Sequence, residues 1–423
     1  MSVGGAGIPR LQELTYIESA ALAVAAREPF EQIRLAILRQ AEMIALNGDH
    51  DGLFDQKKWN QRRANSMAYV HNTVDVLKEL MRLGWVERHV LPSTPRSAYA
   101  HAHVTYEPTA AGRAWADLIR QDRPAGYNAL TGALLTAHPQ FEGYLRLVGA
   151  RPDSASDHLT IPLLRNDGPP AGDHNHYLDA FVSHVTEAVL AGGLGWTTSS
   201  EAVEEGLRGY VNRAVLRSQA RASQGGTAPA PPITRKRFAI LCEEAAVRLA
   251  FTAAGCSMDY ISHELLRRWT RFLGLANFSY YAPGPQALRL WATGLVEGSG
   301  EAPGFDRNVG EQVRLAALRA LPRIWSSTNG LLDDASYHPV WRIRAAVCWD
   351  LRISDEEFDA AIEAAYRGNF SELGFRVHLD EASNLRTPGS VRPLVLGQGT
   401  GRERVFHVMS LVGARQTEEV LAG

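Results

Sequence analysis

Cysteine is scarce in this chain of 423 residues, which has only Cys242, Cys256 and Cys348. Their odd number and wide spacing exclude a disulfide framework and a CxxC pair, and favour a reducing compartment such as the cytosol. Lysine is scarce as well, because only four of the 44 basic residues are lysine. We interpret that bias as the composition of a GC-rich genome and give it no functional meaning.

Long hydrophobic runs are missing. A long charge-free stretch, residues 272–288, contains Pro283 and Pro285 and does not predict a membrane-spanning helix. Glu13 and Glu18 interrupt the apolar run near the N-terminus, and no basic leader precedes it, so no signal peptide is predicted. We therefore expect a cytoplasmic protein that does not contact a membrane.

An excess of charge of one sign is also missing. The formal net charge is −2, with 45% hydrophobic and 21% charged residues. These values are ordinary for globular proteins and exclude wholesale disorder and a uniformly basic nucleic-acid coat. Any nucleic-acid contact must therefore come from a local patch. No internal repeat of fixed period is visible.

Residues 30–121 carry the most regular pattern of the chain. Apolar residues three and four positions apart predict amphipathic helices over residues 30–44 and 67–81, with a short polar helix between them. Gly84 ends the second of these amphipathic helices. The predicted elements that follow are a strand, a turn, a second strand and a helix, at residues 85–91, 92–96, 99–106 and from Thr109 onwards.

This order resembles a winged helix-turn-helix domain of the MarR and PadR type. Three phrases carry the resemblance: Leu77-Lys78-Glu79-Leu80, then Leu83-Gly84-Trp85-Val86-Glu87, then Tyr106-Glu107-Pro108-Thr109-Ala110-Ala111-Gly112. It covers about 90 residues, under a quarter of the chain. The resemblance implies a winged helix, a fold that serves DNA binding and also protein contacts.

The side chains around the presumed recognition helix favour double-stranded DNA. Cations before the helix can neutralise phosphates, and an asparagine on the helix can pair with adenine in the major groove. The predicted contacts are Lys57, Lys58, Arg62, Arg63, Asn72, Thr73 and, at the tip of the wing, Arg96. The alternative is a solvated helix face beside a structural winged helix.

A second basic segment lies in the middle of the chain. From Gly206 to Cys242 there are seven basic residues and no acid. Arg213, Arg217 and Arg221 fall four residues apart and share one helix face. Contact with a nucleic-acid backbone and contact with an acidic partner both stay open.

Residues 310–412 repeat the order of helices followed by strands, with charge of the opposite sign. Ser354 and Glu357 predict a capping box at the start of the third helix. The glycine-rich residues 397–401 predict a hairpin turn, since a strand follows them and not the helix of a phosphate loop. The third helix carries five acids that phosphates would repel: Asp355, Glu356, Glu357, Asp359 and Glu363. Asp355, Glu356, Glu357 and Glu363 are therefore predicted to contact protein, either another subunit or the chain's own Arg213–Arg221 face.

Signatures of catalysis are missing. The sequence has no Walker A loop, GxSxG elbow or HExxH helix, so we predict no enzymatic activity and no cofactor. The strongest exception is a polar cluster that could hold a nuclease metal: Asp173, His174, His176, Asp179 and His184. A weaker one is His89 with His101 and His103. Helix caps and solvent contacts are the alternative for both groups.

Together these features predict a mainly α protein with small β-hairpin wings. The predicted domains are a leader helix (1–29), a winged helix-turn-helix (30–121), a helical middle region (122–221), a linker (222–233), a second helical region (234–300) and a winged-helix-like unit (310–412). The first functional hypothesis is a non-enzymatic double-stranded DNA binder, either a transcription regulator or the recognition subunit of a bacterial DNA-handling or defence complex, possessing protein partners and able to oligomerise. The alternatives are a winged-helix adaptor of an SMC-type ATPase and a metal-dependent nuclease.

Overall fold

The structure is a computed structural model, and it describes most of the chain. The described residues are 14–46, 70–90, 104–154, 156–164, 174–190, 199–223, 233–253, 255–256, 260–280, 287–294, 311–328, 337–368, 370–381, 393–397 and 404–412. They are mainly helical with small antiparallel sheets, as predicted.

The helices reproduce most of the predicted ones to within a few residues. They are α1 (Thr15–Ala25), α2 (Phe30–Leu46), α3 (Val70–Arg82), α4 (Ala110–Gln121), α5 (Arg123–Ala137), α6 (Pro139–Leu147), α7 (His174–Leu190), α8 (Ser200–Ser223), α9 (Arg235–Ala253), α10 (Tyr260–Phe272), α11 (Glu311–Thr328), α12 (Val340–Leu351) and α13 (Asp355–Tyr366). A short 3-10 helix spans Ser371–Leu373.

The strands form two hairpins and two three-stranded sheets. They are β1 (Val86–Val90), β2 (Val104–Pro108), β3 (His158–Pro162), β4 (Ala276–Ser279), β5 (Ala287–Ala292), β6 (His338–Pro339), β7 (Arg376–Asp380), β8 (Leu394–Leu396), β9 (Arg404–Phe406) and β10 (Val408–Val412). The sheets have the orders β1-β2, β3-β5-β4, β6-β10-β7 and β8-β9, with antiparallel pairing throughout.

The chain divides into two compact units, and neither is continuous in sequence. One unit comprises Met1–His138, Arg268–Leu275 and Thr293–Gly423, and the other comprises Pro139–Arg267 and Ala276–Ala292. The sequence had predicted domains that each occupy one continuous stretch.

In the first unit, the predicted hairpin of residues 85–106 is present as β1 and β2, paired from Val86 opposite Pro108 to Val90 opposite Val104. Residues 91–103, including the predicted turn, lie outside the described residues. Helix α4 follows at once, with Thr109 as its N-cap: the Thr109 hydroxyl accepts a hydrogen bond from the Gly112 N–H at 3.0 Å. The helix start predicted at this threonine is thus confirmed.

The sheet β3-β5-β4 adds strands to the regions 122–221 and 234–300, which the sequence predicted to be helical. Residues 287–292 fall in the predicted second helical region, whereas Ala287–Ala292 form a strand with five buried residues. A short apolar run fits a buried strand and a buried helix equally well by its spacing. Its partner β3 lies far away in sequence, with His158 opposite Trp291, so nothing local indicated the pairing.

The C-terminal part of the first unit contains the three predicted helices and the strands β6 to β10, of which β9 and β10 belong to different sheets. The capping box is confirmed: the Ser354 hydroxyl accepts from the Glu357 N–H at 3.2 Å, and the Glu357 carboxylate accepts from the Ser354 N–H at 2.7 Å. The glycine-rich residues 397–401 connect two antiparallel strands, β8 and β9. That connection agrees with a hairpin and excludes the strand-to-helix passage of a phosphate loop.

Helices α3 and α10 end in the same way, in a turn closed by a left-handed glycine. Gly84 has a φ of 72° and Gly274 a φ of 67°, which glycine adopts without steric cost. The residue after each glycine donates its N–H to the carbonyl oxygen five residues back, at 2.9 Å in both cases. A strand begins directly afterwards, so each helix leads straight into a pair of strands.

A threonine after the second strand completes both turns. Thr109 and Thr293 each donate the hydroxyl to the carbonyl oxygen of the left-handed glycine, at 2.8 and 3.0 Å. The Thr109 N–H donates to the Trp85 carbonyl oxygen, and the Thr293 N–H donates to the Leu275 carbonyl oxygen, both at 3.0 Å. The chain therefore contains a structural repeat of helix, glycine turn, two strands and threonine, which a search for a fixed period does not find.

Candidate nucleic-acid interface

Helix α3, the predicted recognition helix, is anchored by one buried face. Val76, Leu77 and Leu80 have no exposed surface, and Thr73 has none either. The prediction that Thr73 contacts DNA is therefore wrong for this structure. Thr73 lies one turn before Leu77, and residues four apart share a helix face, so the threonine packs inside with the leucine.

The other predicted contacts of residues 30–121 are not described in full. Lys57, Lys58, Arg62, Arg63 and Arg96 lie outside the described residues. The backbone of Asn72 lies in α3, but its side chain is not among the described ones. Their contact with DNA stays a prediction.

The exposed face of α3 presents two other cations, Lys78 and Arg82. The Lys78 side chain is 58% exposed, with its Nζ 3.9 Å from the Asp75 carboxylate, and Arg82 Nη1 lies 3.5 Å from the Glu79 carboxylate. The Lys78–Asp75 pair is partly exposed and weak at this distance, so Lys78 can turn to a phosphate, whereas Arg82 is exposed but faces the buried Glu79 carboxylate. The sequence reasoning missed them because it took the reading residues from the start of the helix. The sequence signal for these two cations was their spacing of four residues at positions outside the apolar face of the helix.

A buried polar contact fixes a further side of α3. Glu79 Oε1 lies 2.5 Å from Nε2 of His138, and both side chains are buried. The His138 ring also meets the edge of Trp269, with centroids 5.3 Å apart. The apolar face and this contact together set the rotation of α3 about its axis, and hence the direction in which Lys78 and Arg82 point.

The β1-β2 hairpin is fixed to the body of the unit at its base. The rings of Trp85 and Trp115 stack with centroids 4.6 Å apart. The Trp115 Nε1–H donates to the Gly126 carbonyl oxygen at 2.7 Å. Beyond the buried Val86, residues 87–90 of β1 are all exposed, including Arg88. A rigid hairpin with an exposed cation thus extends directly from the end of α3.

The predicted basic face lies on α8, in the second unit. Arg213 and Arg217 are exposed on α8, and the side chain of Arg221 is not among the described ones. The earlier Arg208 is neutralised, with Nη1 2.6 Å from Asp179 and Nε 2.9 Å from Glu204. The two halves of α8 therefore differ in net charge.

The acidic helix α13 is used largely inside its own unit, which corrects the predicted protein-contact surface. Glu357 is buried in the capping box. Asp355 accepts a hydrogen bond from Arg271 Nη2 at 2.6 Å, and Glu363 pairs with Arg367 four residues on. Glu356 is exposed. The arginines described beside Asp355 are therefore Arg271 and, at 4.0 Å, Arg344, both in its own unit.

A buried ion pair reinforces this helix from α12. Arg344 donates from Nε to Asp359 Oδ1 at 2.9 Å, and both residues are buried. Burial lowers the pKa of Arg344, but the carboxylates of Asp359 and Asp355 outweigh that effect and raise its pKa overall. Burial has the opposite effect on the neighbouring Cys348 thiol and raises its pKa well above the ordinary value, because a thiol is charged only when it loses its proton. These groups stabilise charge inside the fold and are not available to a partner.

The histidine cluster predicted for a metal does not assemble among the described residues. His174, His176 and His184 lie along α7, and Asp179 of that helix is paired with Arg208; Asp173 lies outside the described residues. In the described part of the chain, no three His, Cys, Asp or Glu side chains form a group that could hold a metal ion. Of the weaker cluster, His89 is exposed on β1, while His101 and His103 are not described.

The fold and this surface define a mainly helical protein with small antiparallel sheets and separate basic patches. The chain matches no protein-family model, and no curated protein or solved structure matches it. Of the helices that the structure describes, none has the length and apolar character needed to cross a membrane.

Proposed function

We propose that the chain is a non-enzymatic protein that binds double-stranded DNA through a winged helix-turn-helix formed by residues 30–121. The observation that carries the proposal is the passage from α3 into the β1-β2 hairpin, with Lys78 and Arg82 on the exposed face of the helix. A helix that enters the major groove needs a buried back, a polar front and a fixed orientation. Helix α3 has all three.

The rigidity of this segment supports the proposal. Thr109 connects the end of β2 to the turn at Gly84, and the tryptophan stack fixes the hairpin to α4. Contacts to phosphates position a protein on the duplex, and a pre-formed scaffold loses little entropy when they form. Arg88 on β1 would add a backbone contact beside the groove.

The C-terminal residues 310–412 are proposed to contribute protein contacts or stability and not DNA reading. Their helix α13 carries acids on both its buried and exposed sides, and exposed Glu356 would meet phosphates of like charge within a Debye length of about 8 Å. A winged-helix adaptor for protein partners remains the second candidate, favoured by this inverted charge.

The test is the affinity of the full chain for duplex DNA across a salt series. Lys78→Ala combined with Arg82→Ala, and separately Lys57→Ala combined with Arg62→Ala, should each lower the affinity. Each lost phosphate contact should reduce the salt slope by about 0.9. Arg120→Ala, on the outer side of α4, is the matched control and should leave affinity and slope unchanged. If neither pair alters the slope, residues 30–121 are not a DNA-binding domain.

A further inference from the structure

The second compact unit carries a basic surface at one end of its helices α7, α8 and α9. Helix α8 loses its acids after Glu205, and the next acid in the chain is Glu243. Arg208, three residues after Glu205, is still paired with two carboxylates. Beyond it, among the described residues, no carboxylate forms a salt bridge with Arg213 or Arg217.

The two exposed arginines of α8 form a row. They are four residues apart, which places them on one face with a rise of about 6 Å between them. The Arg217 Nε–H donates to the Arg213 carbonyl oxygen at 3.3 Å. That bond directs the guanidinium along the helix but does not neutralise it, because the acceptor carries no net charge.

Packing against α9 adds cations to the same end. The Tyr210 hydroxyl donates to the Glu244 carboxylate at 3.2 Å, and Gly206 faces Leu249, so α8 and α9 run antiparallel. Arg217, seven residues after Tyr210, is therefore level with residue 237, seven residues before Glu244. Residue 237 itself pairs with Glu244. The preceding Arg235 and Lys236 are exposed.

Helix α7 starts at this end as well. The His174 ring lies 4.5 Å from the ring of Phe238, near the start of α9. The N-termini of α7 and α9 therefore lie close together, and both helix dipoles add positive potential to that of the arginines. We define this surface, with the exposed Arg213, Arg217 and Lys236, as the basic end.

We propose that the basic end binds the phosphate backbone of nucleic acid without sequence preference, as a second contact independent of residues 30–121. The exposed donors are guanidinium and ammonium groups. Guanidinium pairs bidentately with phosphate, and such a donor set positions a protein on a backbone without reading bases.

A nucleic-acid backbone fits the basic end better than an acidic protein does. The large apolar side chain exposed on this part of α8 is Leu216, and a single scattered leucine is ordinary on a protein surface. Protein interfaces need a buried apolar or aromatic core, whereas nucleic-acid interfaces are polar and positively charged.

The test compares variants of the full chain in salt titrations with duplexes of unrelated sequence. Arg213→Ala combined with Arg217→Ala should lower the salt slope by about 1.8, equally for all sequences. Arg208→Ala, on the same helix but in the compensated half, is the control and should leave the slope unchanged. The removed side chains are exposed, so the variant should keep the unfolding midpoint of the parent. Arg213→Gln with Arg217→Gln repeats the test with longer polar side chains, should the alanine variant be less stable.

Three outcomes would overturn the proposal: an unchanged slope in a folded variant, a slope that changes for one sequence only, or loss of binding to polyglutamate while duplex binding persists. The last outcome would assign the basic end to an acidic protein. Lys78→Ala with Arg82→Ala, measured in parallel, separates this inference from the proposed function. A loss confined to the α8 variant supports the basic end and refutes the winged helix, and a loss confined to the α3 variant does the reverse.

Discussion

Individual glycines have opposite roles in this protein, depending on what lies next to their α-carbon. At Gly112, near the start of α4, a β-carbon would lie 2.0 Å from the Trp85 carbonyl oxygen. That oxygen already accepts the Thr109 N–H at 3.0 Å and belongs to backbone that cannot move independently. At Gly132, inside α5, a β-carbon would meet nothing within 4 Å.

We therefore predict that Gly112→Ala and Gly132→Ala change stability with opposite sign. Gly112→Ala should destabilise by about 3 kcal/mol, the upper end for overpacking, because backbone must shift. Gly132→Ala should stabilise by about 0.5 to 1 kcal/mol, because alanine is the better helix former. Urea unfolding of both variants measures the difference. A gain in stability for Gly112→Ala would mean that the helix and the hairpin do not approach as closely as described.

At the scale of elements, helix α13 is attached to its neighbours by charge as well as by apolar packing. Asp359 is paired with Arg344 in the interior, whereas Glu363, one turn later, is paired with Arg367 at the surface. Removal of one partner from a buried pair leaves an unpaired charge in a low dielectric. Removal of one partner from an exposed pair leaves a solvated charge.

The same helix thus supplies a test and its control. Asp359→Ala should lower the free energy of unfolding by about 3 to 5 kcal/mol. Glu363→Ala should change it by no more than about 0.5 kcal/mol. Denaturant unfolding of the two variants beside the parent gives both values. Equal effects would show that Asp359 is hydrated and that α12 and α13 are held by apolar contacts alone.

At the scale of the whole molecule, both compact units contain a buried histidine with a lowered pKa. Burial lowers the pKa of His263 well below its ordinary value, and the positive charge of Arg267 adds to the effect. Burial, with Arg342, also lowers the pKa of His338, whose ring meets the edge of Trp325 at 4.3 Å. Each histidine therefore takes up a proton more readily when the chain is unfolded than when it is folded.

Stability should therefore fall as the pH falls through about 6.5, the ordinary pKa of histidine, because the unfolded chain then binds protons that the folded chain does not. Each histidine contributes a slope of up to about 1.4 kcal/mol per pH unit below that point. Urea unfolding at pH 7.5, 6.5 and 5.5 measures it, and His338→Gln should reduce the slope by one histidine's share. A slope that is the same in the variant and the parent would mean that His338 is protonated in the folded state.

The three-stranded sheets share one connectivity, which also belongs to the whole molecule. In both β3-β5-β4 and β6-β10-β7 the first strand in sequence lies at an edge and the last lies in the centre. In both, one helix precedes the first strand, and a pair of helices, α9 and α10 or α12 and α13, precedes the second strand. The first sheet has α7 and α8 inserted after its first strand, and the second sheet has β8 and β9 inserted before its last strand. The N-terminal hairpin follows α3 in the same manner. The protein therefore reuses one arrangement of helices and strands.

The sequence by itself determined the features whose causes lie within a few residues of each other. The spacing of apolar residues defined helices such as α3, α12 and α13. The Ser354–Glu357 capping box and the glycine string before β9 marked a helix start and a hairpin. Each depends on contacts between neighbours in the chain, so a local pattern is sufficient to predict it.

Only the tertiary structure decided what each polar side chain does, because its partner lies far away in sequence. Glu79 pairs with His138, 59 residues on, and Arg271 pairs with Asp355, 84 residues on. The strand β5 was unrecognisable without β3, and Thr73 was assigned to the surface until the packing of α3 was known. Burial and pairing follow from non-local packing, and no periodicity in one stretch of sequence records which distant residue completes it.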